Sequence, residues 1–195
     1  MAVAALGYAL FGNFIPGSYG HAGYSLSRLA SNLFLRTEGI YGLPMGVAAE
    51  YIFLFSLLGA LLLKTGLGKV FVDIAQALTG RIQGGPGLTA VVSSTMFSAI
   101  NGSAVAGVVT TGTFTIPLMK RSGYRAKVAG AIEAAASSAG QIMPPVMGAA
   151  AFIMAEMTQL PYATIAAAAL IPALLYVFAL LVSVRLEAGK FNLPR

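Results

Sequence analysis

The chain has 195 residues, is 57% hydrophobic, carries only 9% charged side chains and has a mean hydropathy of +0.82. An ordinary soluble domain has roughly 25% charged residues, so this chain lacks the polar surface to cover a globule in water and its solvent is lipid. Twelve basic against six acidic residues give a net charge of +6, which in so apolar a chain is a topology signal and not the footprint of a nucleic-acid partner.

The absence of cysteine rules out a disulfide framework, thiolate metal sites and thiol nucleophiles. Without tryptophan, 8 Tyr and 11 Phe are the aromatic anchors, while 23 Gly and 9 Pro are more helix-loosening positions than a plain bundle of spanning helices needs. The expected class is therefore an all-α polytopic membrane protein with spanning helices, a re-entrant helical hairpin and a broken helix, anchored in the lipid bilayer.

Ala2–Ile15 is an apolar run ended by Pro16 and Gly17. As a helix it measures only ~21 Å against a ~30 Å hydrocarbon core, so it reads as a truncated spanning helix. No basic residue precedes it, which argues against a signal peptide. The stretch Ser18–Gly42 holds His21, Arg28, Arg36 and Glu38, with Leu26, Leu29, Leu33 and Phe34 at helical spacing, and predicts an interfacial amphipathic helix. Here His21 is expected to be solvated, since nothing around it has metal-ligand spacing.

Gly46–Leu63 predicts a spanning helix of ~27 Å, stopped by Lys64 and Gly66. Beyond it, Val70, Phe71, Ile74, Ala77 and Leu78 form one face of a short helix, with Lys69, Asp73, Gln76 and Thr79 on the other. This pattern predicts a surface helix.

From Ile82 to Met119 no charge occurs for 38 positions. Gly84-Gly85-Pro86 opens the stretch, Asn101-Gly102-Ser103 interrupts it and Pro117 closes it. Each half, Pro86–Ile100 and Ser103–Leu118, is ~23 Å as a helix. One kinked spanning helix competes with a re-entrant hairpin. Arg81 precedes the stretch, and Lys120, Arg121, Arg125 and Lys127 follow it. Since basic flanks mark the cytoplasmic side, both ends lie on the same side and the hairpin is favoured.

The chain then runs outward from Lys127 to Thr158, broken near Gly140–Pro145, turns at Gln159–Pro161 and returns through Tyr162–Val184. This topology places ten of the twelve basic residues in the cytoplasm, with Arg28 and Arg36 opposite. The expected segments are 1–45, 46–80, 81–127, 128–158 and 159–195.

Ser93–Thr115 contains ten hydroxyl or amide side chains. Polar groups at membrane depth need protein, water or a ligand, although Ser, Thr, Gly and Ala also serve close helix packing. The tip, Asn101-Gly102-Ser103, is the better site candidate, because its backbone groups have no helical partner. A second candidate is the double proline: Pro144 and Pro145 lack N–H groups, which frees the carbonyls of Gly140 and Gln141 to hold a hard cation. A proline kink re-satisfied by its neighbours is the alternative.

Glu133, in an alanine run, either binds or relays an ion or pairs at the interface with Lys127 or Arg125, the pairing being favoured. Glu50 and Glu156 are expected at the interface. No HExxH, GxSxG or GxxxxGK[ST] motif occurs and Asp73 is the sole aspartate, so the chain is not expected to be an enzyme.

The residues Asn101–Tyr124 (NGSAVAGVVTTGTFTIPLMKRSGY) and Gly130–Gly148 (GAIEAAASSAGQIMPPVMG), with the run to Glu156, resemble the large, DctM-like membrane subunit of tripartite ATP-independent periplasmic (TRAP) transporters. They are most similar to the fused permease of the TAXI branch. The resemblance runs from about Tyr8 to the C-terminus. It implies an elevator-type secondary transporter of the bacterial inner membrane, driven by Na+, that takes a small carboxylate solute from a periplasmic binding protein.

By the same resemblance, Na+ is held by Asn101, Gly102 and Ser103 on the hairpin and by Gly140, Gln141, Ile142, Met143 and Pro144 on the break. Thr110, Thr111 and Pro145 face the substrate. The family usually has Ser at position 101 and Asn at position 107, where this chain has Asn101 and Gly107. Its fold is an inverted repeat with two hairpins; this chain holds one, so a fragment, or one piece of a split permease working with the remainder, is expected. The competing reading is a membrane-embedded assembly element without transport of its own.

Overall fold

A computed structural model describes residues 2–36 and 39–191. It divides into two compact units, Met1–Ala48 and Ala49–Arg195. Glu38 and Arg195 lie outside the described residues. Every regular element among the described residues is helical.

In the first unit, α1 (Ala2–Phe11) ends in a single 3-10 turn, Gly12–Phe14. At ten residues, or ~15 Å, it is shorter than the apolar run that predicts it. The chain then folds back on it, with Tyr24 N–H bonded to Ala9 O at 2.9 Å. Where a long interfacial helix is expected, the structure has irregular chain to Tyr24, α2 (Leu26–Ala30) and a π turn, Ser31–Leu35. Glycines at 17, 20 and 23 explain the difference, because Gly17 and Gly23 adopt positive φ and break the helix before Ser25 caps α2.

His21 is half-buried, not solvated. Its Nδ1 accepts from Gly23 N–H, its Nε2 donates to Tyr8 O at 3.1 Å, and its ring lies against Tyr8 and Tyr24. Gly12 is required here, since a Cβ would overlap the imidazole. The helix α3 (Leu43–Val47) ends this unit.

A π turn, Ala48–Ile52, carries the chain across the boundary into the second unit and α4 (Phe53–Lys64). After Gly66, at φ +79°, comes α5 (Leu67–Thr79). Four longer elements follow: α6 (Gly85–Asn101), α7 (Ala104–Arg121), α8 (Ala126–Ala139) and, beyond an irregular stretch and α9 (Ala149–Thr158), α10 (Tyr162–Lys190). Pro117, expected to close a helix, lies inside α7. With Pro172 of α10 it shows that helices of this unit run through an internal proline.

α6 is the centre of this unit. It packs against α5, α7, α8 and α10, and it does so through small and hydroxyl side chains. Thr89 bonds Thr79 of α5 at 2.8 Å, Ser94 bonds Thr111 of α7 at 2.8 Å, and Thr95 donates to Ala136 O of α8 at 3.2 Å. On its α10 side, a Cβ at Gly87 would crowd Val184 and the Tyr124 hydroxyl, so glycine sets the approach distance. Tyr124, in the α7–α8 turn, donates to Gly84 O at 3.1 Å. Burial and, after it, the Glu187 charge raise its pKa, so its phenol stays a donor.

Of the stripe that the spacing suggests, only Phe71 lies on the packed face of α5. Gly68, Phe71, Val72 and Ala75 are buried, while Val70, Ile74 and Leu78 point outward. In lipid, apolar area gains nothing by turning inward, and close approach by small residues decides the face. Among the described residues one helix, Tyr162–Lys190, is long and apolar enough to cross a membrane.

Candidate functional site

α6 and α7 fold back on each other at Gly102, whose φ of +68° and crowding against Met147 O require glycine. Positions equidistant from the tip face each other: Ser94 meets Thr111, and Gly107 lies against Ser98. Ser103 caps α7, its Oγ accepting Ala106 N–H at 3.2 Å. Asn101 turns its Oδ1 to Ser103 N–H at 2.7 Å. A backbone donor can pair only with the amide oxygen, so the Nδ2 group is the free end. That group is buried and has no partner among the described residues.

α8 ends at Gly140, which lies so close to α6 that a Cβ would overlap Ser98. The following stretch curls rather than continuing: Met143 N–H bonds Ala139 O, Val146 N–H bonds Ala99 O, and Gly148 N–H bonds Gln141 O at 2.7 Å. The Pro144–Pro145 peptide is cis. The Gly140 carbonyl, which would face Pro144 in a continued helix, accepts no hydrogen bond among the described residues. The Gln141 carbonyl differs from expectation. It is engaged by Gly148 N–H because the chain doubles back, and one lone pair remains.

A cavity of about 250 Å³ separates the two breaks, lined on its polar side by Asn101, Gly102, Ser103 and Gln141 and closed by Met147 and Phe152. The C-terminal end of α6, the N-terminal ends of α7 and α9, and Gln141, two residues beyond the end of α8, border it. Negative dipole ends suit a cation and positive ends an anion, so both charges find a place in one small volume.

Other expected residues fall elsewhere. Ile142 faces a separate apolar cavity beside α10. Pro145 is exposed, and its carbonyl accepts the Tyr162 hydroxyl at 3.0 Å. Two turns below the tip, Thr110 presses its methyl against Gly68 of α5 while its Oγ1 is buried without a partner among the described residues. Thr111 is fully buried and turned to α8. Met143 and Pro144 are partly exposed and do not line the tip cavity.

Glu133 is the largest departure from the sequence reading. It is fully buried and, among the described residues, paired with neither Lys127 nor Arg125. Instead Ser94 donates to Oε1 at 2.8 Å, Thr111 to Oε1 at 2.7 Å and Thr115 to Oε2 at 2.5 Å, with Ser137 at 3.4 Å. The signal was present in the four-residue spacing of Gly107, Thr111 and Thr115 and of Glu133 and Ser137. No cluster of His, Cys, Asp or Glu fit for a metal occurs among the described residues.

A helical unit with hydroxyls inside, apolar side chains outside and two chain breaks bordering a cavity has the build of an integral membrane protein. The family model for the tripartite ATP-independent periplasmic transporter DctM component matches residues 1–195, and the chain belongs to that family. It is 31% identical over 140 residues to the C4-dicarboxylate TRAP transporter large permease protein DctM of Pseudomonas aeruginosa, covering 72% of this chain and 32% of that protein. To the protein of the same name from Vibrio cholerae it is 28% identical over 175 residues, 90% of this chain and 37% of the relative. The isethionate TRAP transporter permease protein DctMQ of Oleidesulfovibrio alaskensis is 36% identical over 80 residues, 41% of this chain and 13% of that protein. The chain thus spans at most 37% of the length of these relatives. No solved structure matches it.

Proposed function

We propose that the chain is the hairpin-bearing part of a TAXI-type TRAP permease of the inner membrane. In this reading it couples Na+ entry to uptake of a small carboxylate solute delivered by a periplasmic binding protein. The observation that carries the reading is the meeting of three helix ends, those of α6, α7 and α9, with the chain break at Gln141 around one cavity. The carbonyl end of α6, with the free lone pair of Gln141 O and with Ser103 Oγ, favours the cation. The amide ends of α7 and α9, with the unpartnered Asn101 Nδ2, favour the solute carboxylate. The hairpin α6–α7 is re-entrant, entering and leaving on the cytoplasmic side between Arg81 and Lys120. The remainder of the permease completes the solute site, as one half of an inverted repeat. The names of the relatives, two for C4-dicarboxylates and one for isethionate, support an organic anion as solute.

The test is uptake of radiolabelled C4-dicarboxylate, and of other small organic acids, into proteoliposomes. These hold the complete permease containing this segment, with its binding protein outside and an inward Na+ gradient. Uptake that collapses when choline replaces Na+, and Na+ affinity reduced about ten-fold or more by Ser103→Ala, are the expected results, because contacts to a charged group carry that weight. Uptake indifferent to Na+ overturns the coupling. Impermeant labelling of Arg81→Cys and Lys120→Cys from opposite membrane faces overturns the re-entrant hairpin.

A further inference from the structure

We infer that Glu133 and the hydroxyls around it form a second binding site for a monovalent hard cation of the Na+ class, buried between α6, α7 and α8 and separate from the hairpin-tip cavity. The inference does not depend on the proposed transport cycle. A carboxyl group enclosed by protein with no lysine or arginine paired to it among the described residues lacks a countercharge, and an unpaired buried charge is costly. Every group that hydrogen-bonds it is a hydroxyl. Glu133 Oε1 and Oε2, Ser94 Oγ, Thr111 Oγ1, Thr115 Oγ1 and Ser137 Oγ present a ligand set that suits a hard cation and offers nothing to a soft one. One carboxylate balances one positive charge, so a divalent ion would leave the interior charged.

The hydroxyl protons have somewhere else to go. Thr111 Oγ1 lies 2.8 Å from Gly107 O, Thr115 Oγ1 lies 3.0 Å from Thr111 O, and Ser94 Oγ lies 2.8 Å from Thr111 Oγ1. Each can therefore turn its lone pairs to a cation and keep a hydrogen bond. A second, independent feature points the same way. Ser98 Oγ is fully buried with no hydrogen-bond partner among the described residues. It borders the face of Gly107, where a Cβ would overlap it and would stand 2.9 Å from Ser137 Oγ. The missing side chain at Gly107 leaves both hydroxyls beside it, each one helical turn from a member of the cluster, Ser94 or Glu133, so the unpartnered Ser98 Oγ is the further oxygen the site can draw on.

The test is equilibrium binding of 22Na+ to the purified chain in lipid nanodiscs, with unlabelled Na+, Li+, K+ and Ca2+ as competitors and circular dichroism as the check on folding. The expected result is a 22Na+ component displaced by Na+ and Li+ but not by Ca2+. Glu133→Gln abolishes it, and Thr115→Val or Ser98→Ala raises its Kd about ten-fold or more. Ser103→Ala at the hairpin tip leaves it unchanged, which separates this site from the proposed transport site. Should Glu133→Gln fold and bind 22Na+ as wild type does, the site is refuted. If Glu133→Gln fails to fold, wild-type Kd values for both Thr115→Val and Ser98→Ala refute it equally. A wild-type chain whose entire 22Na+ binding disappears with Ser103→Ala also overturns the inference.

Discussion

α6 and α10 are both long helices of one unit, and they invert the rule for soluble proteins in opposite ways. α6 buries Thr89, Ser93, Ser94, Thr95 and Ser98 completely or nearly so. α10 leaves Ile171, Leu175, Phe178 and Leu186 each more than 60% exposed. In water this pairing would be unstable. In a bilayer the hydrocarbon takes the apolar face of α10 at no cost, while the hydroxyls of α6 must find partners inside and so select its neighbours. Position along the sequence does not separate the two helices, but what each side chain touches does.

Steric change at the central packing sets the largest expected difference. Gly140→Val brings a Cβ into overlap with Ser98 and within 2.7 Å of Ala99 N, at a cost of about 3 kcal/mol or more. Gly189→Ala in α10, where nothing lies within 4 Å, is expected to be neutral or stabilising by up to about 1 kcal/mol through helix propensity. Thermal unfolding in detergent measures both. Equal effects would mean that α6 is not the packing centre.

Removing a hydroxyl from the interior sharpens the comparison at a smaller scale. Thr111→Val keeps the shape and deletes a donor to Glu133, for an expected loss of about 1–3 kcal/mol. Tyr124→Phe removes the bond to Gly84 O, a neutral pair, at a cost of about 1 kcal/mol. Chemical denaturation of the reconstituted chain resolves the two.

The smallest effects belong to the lipid-facing stripe. Leu174→Ala and Phe178→Ala are expected to change stability by no more than about 0.5 kcal/mol, since lipid replaces the lost contacts. Losses of the size seen in soluble cores, about 2–5 kcal/mol, would show that another protein surface and not lipid covers this face.

Much of this arrangement was legible in the residues. Gly84, Gly102 and the double proline mark where helices start, turn back and break, because those residues have few backbone options. The apolar run Tyr162–Val184 marks a spanning helix by length alone. The face of α5 was not legible, since Val70, Ile74 and Leu78 have the spacing of a packed stripe and the packing follows Gly68 and Ala75 instead. Nor was the enclosure of His21, held by contacts with residues that precede it by up to 13 positions.

The sequence by itself determined the solvent, the helical class, the positions of the breaks and the family, because composition, chain-breaking residues and two long motifs are local properties. Only the tertiary structure decided that Asn101 spends its amide oxygen on Ser103 N–H and keeps its amide nitrogen buried, and that Gln141 O is shared with Gly148. It alone took Glu133 from the interface into a ring of hydroxyls. Each of these depends on a partner drawn from another helix or from across a turn, and the distance between such partners is fixed by packing, which no spacing along the chain encodes.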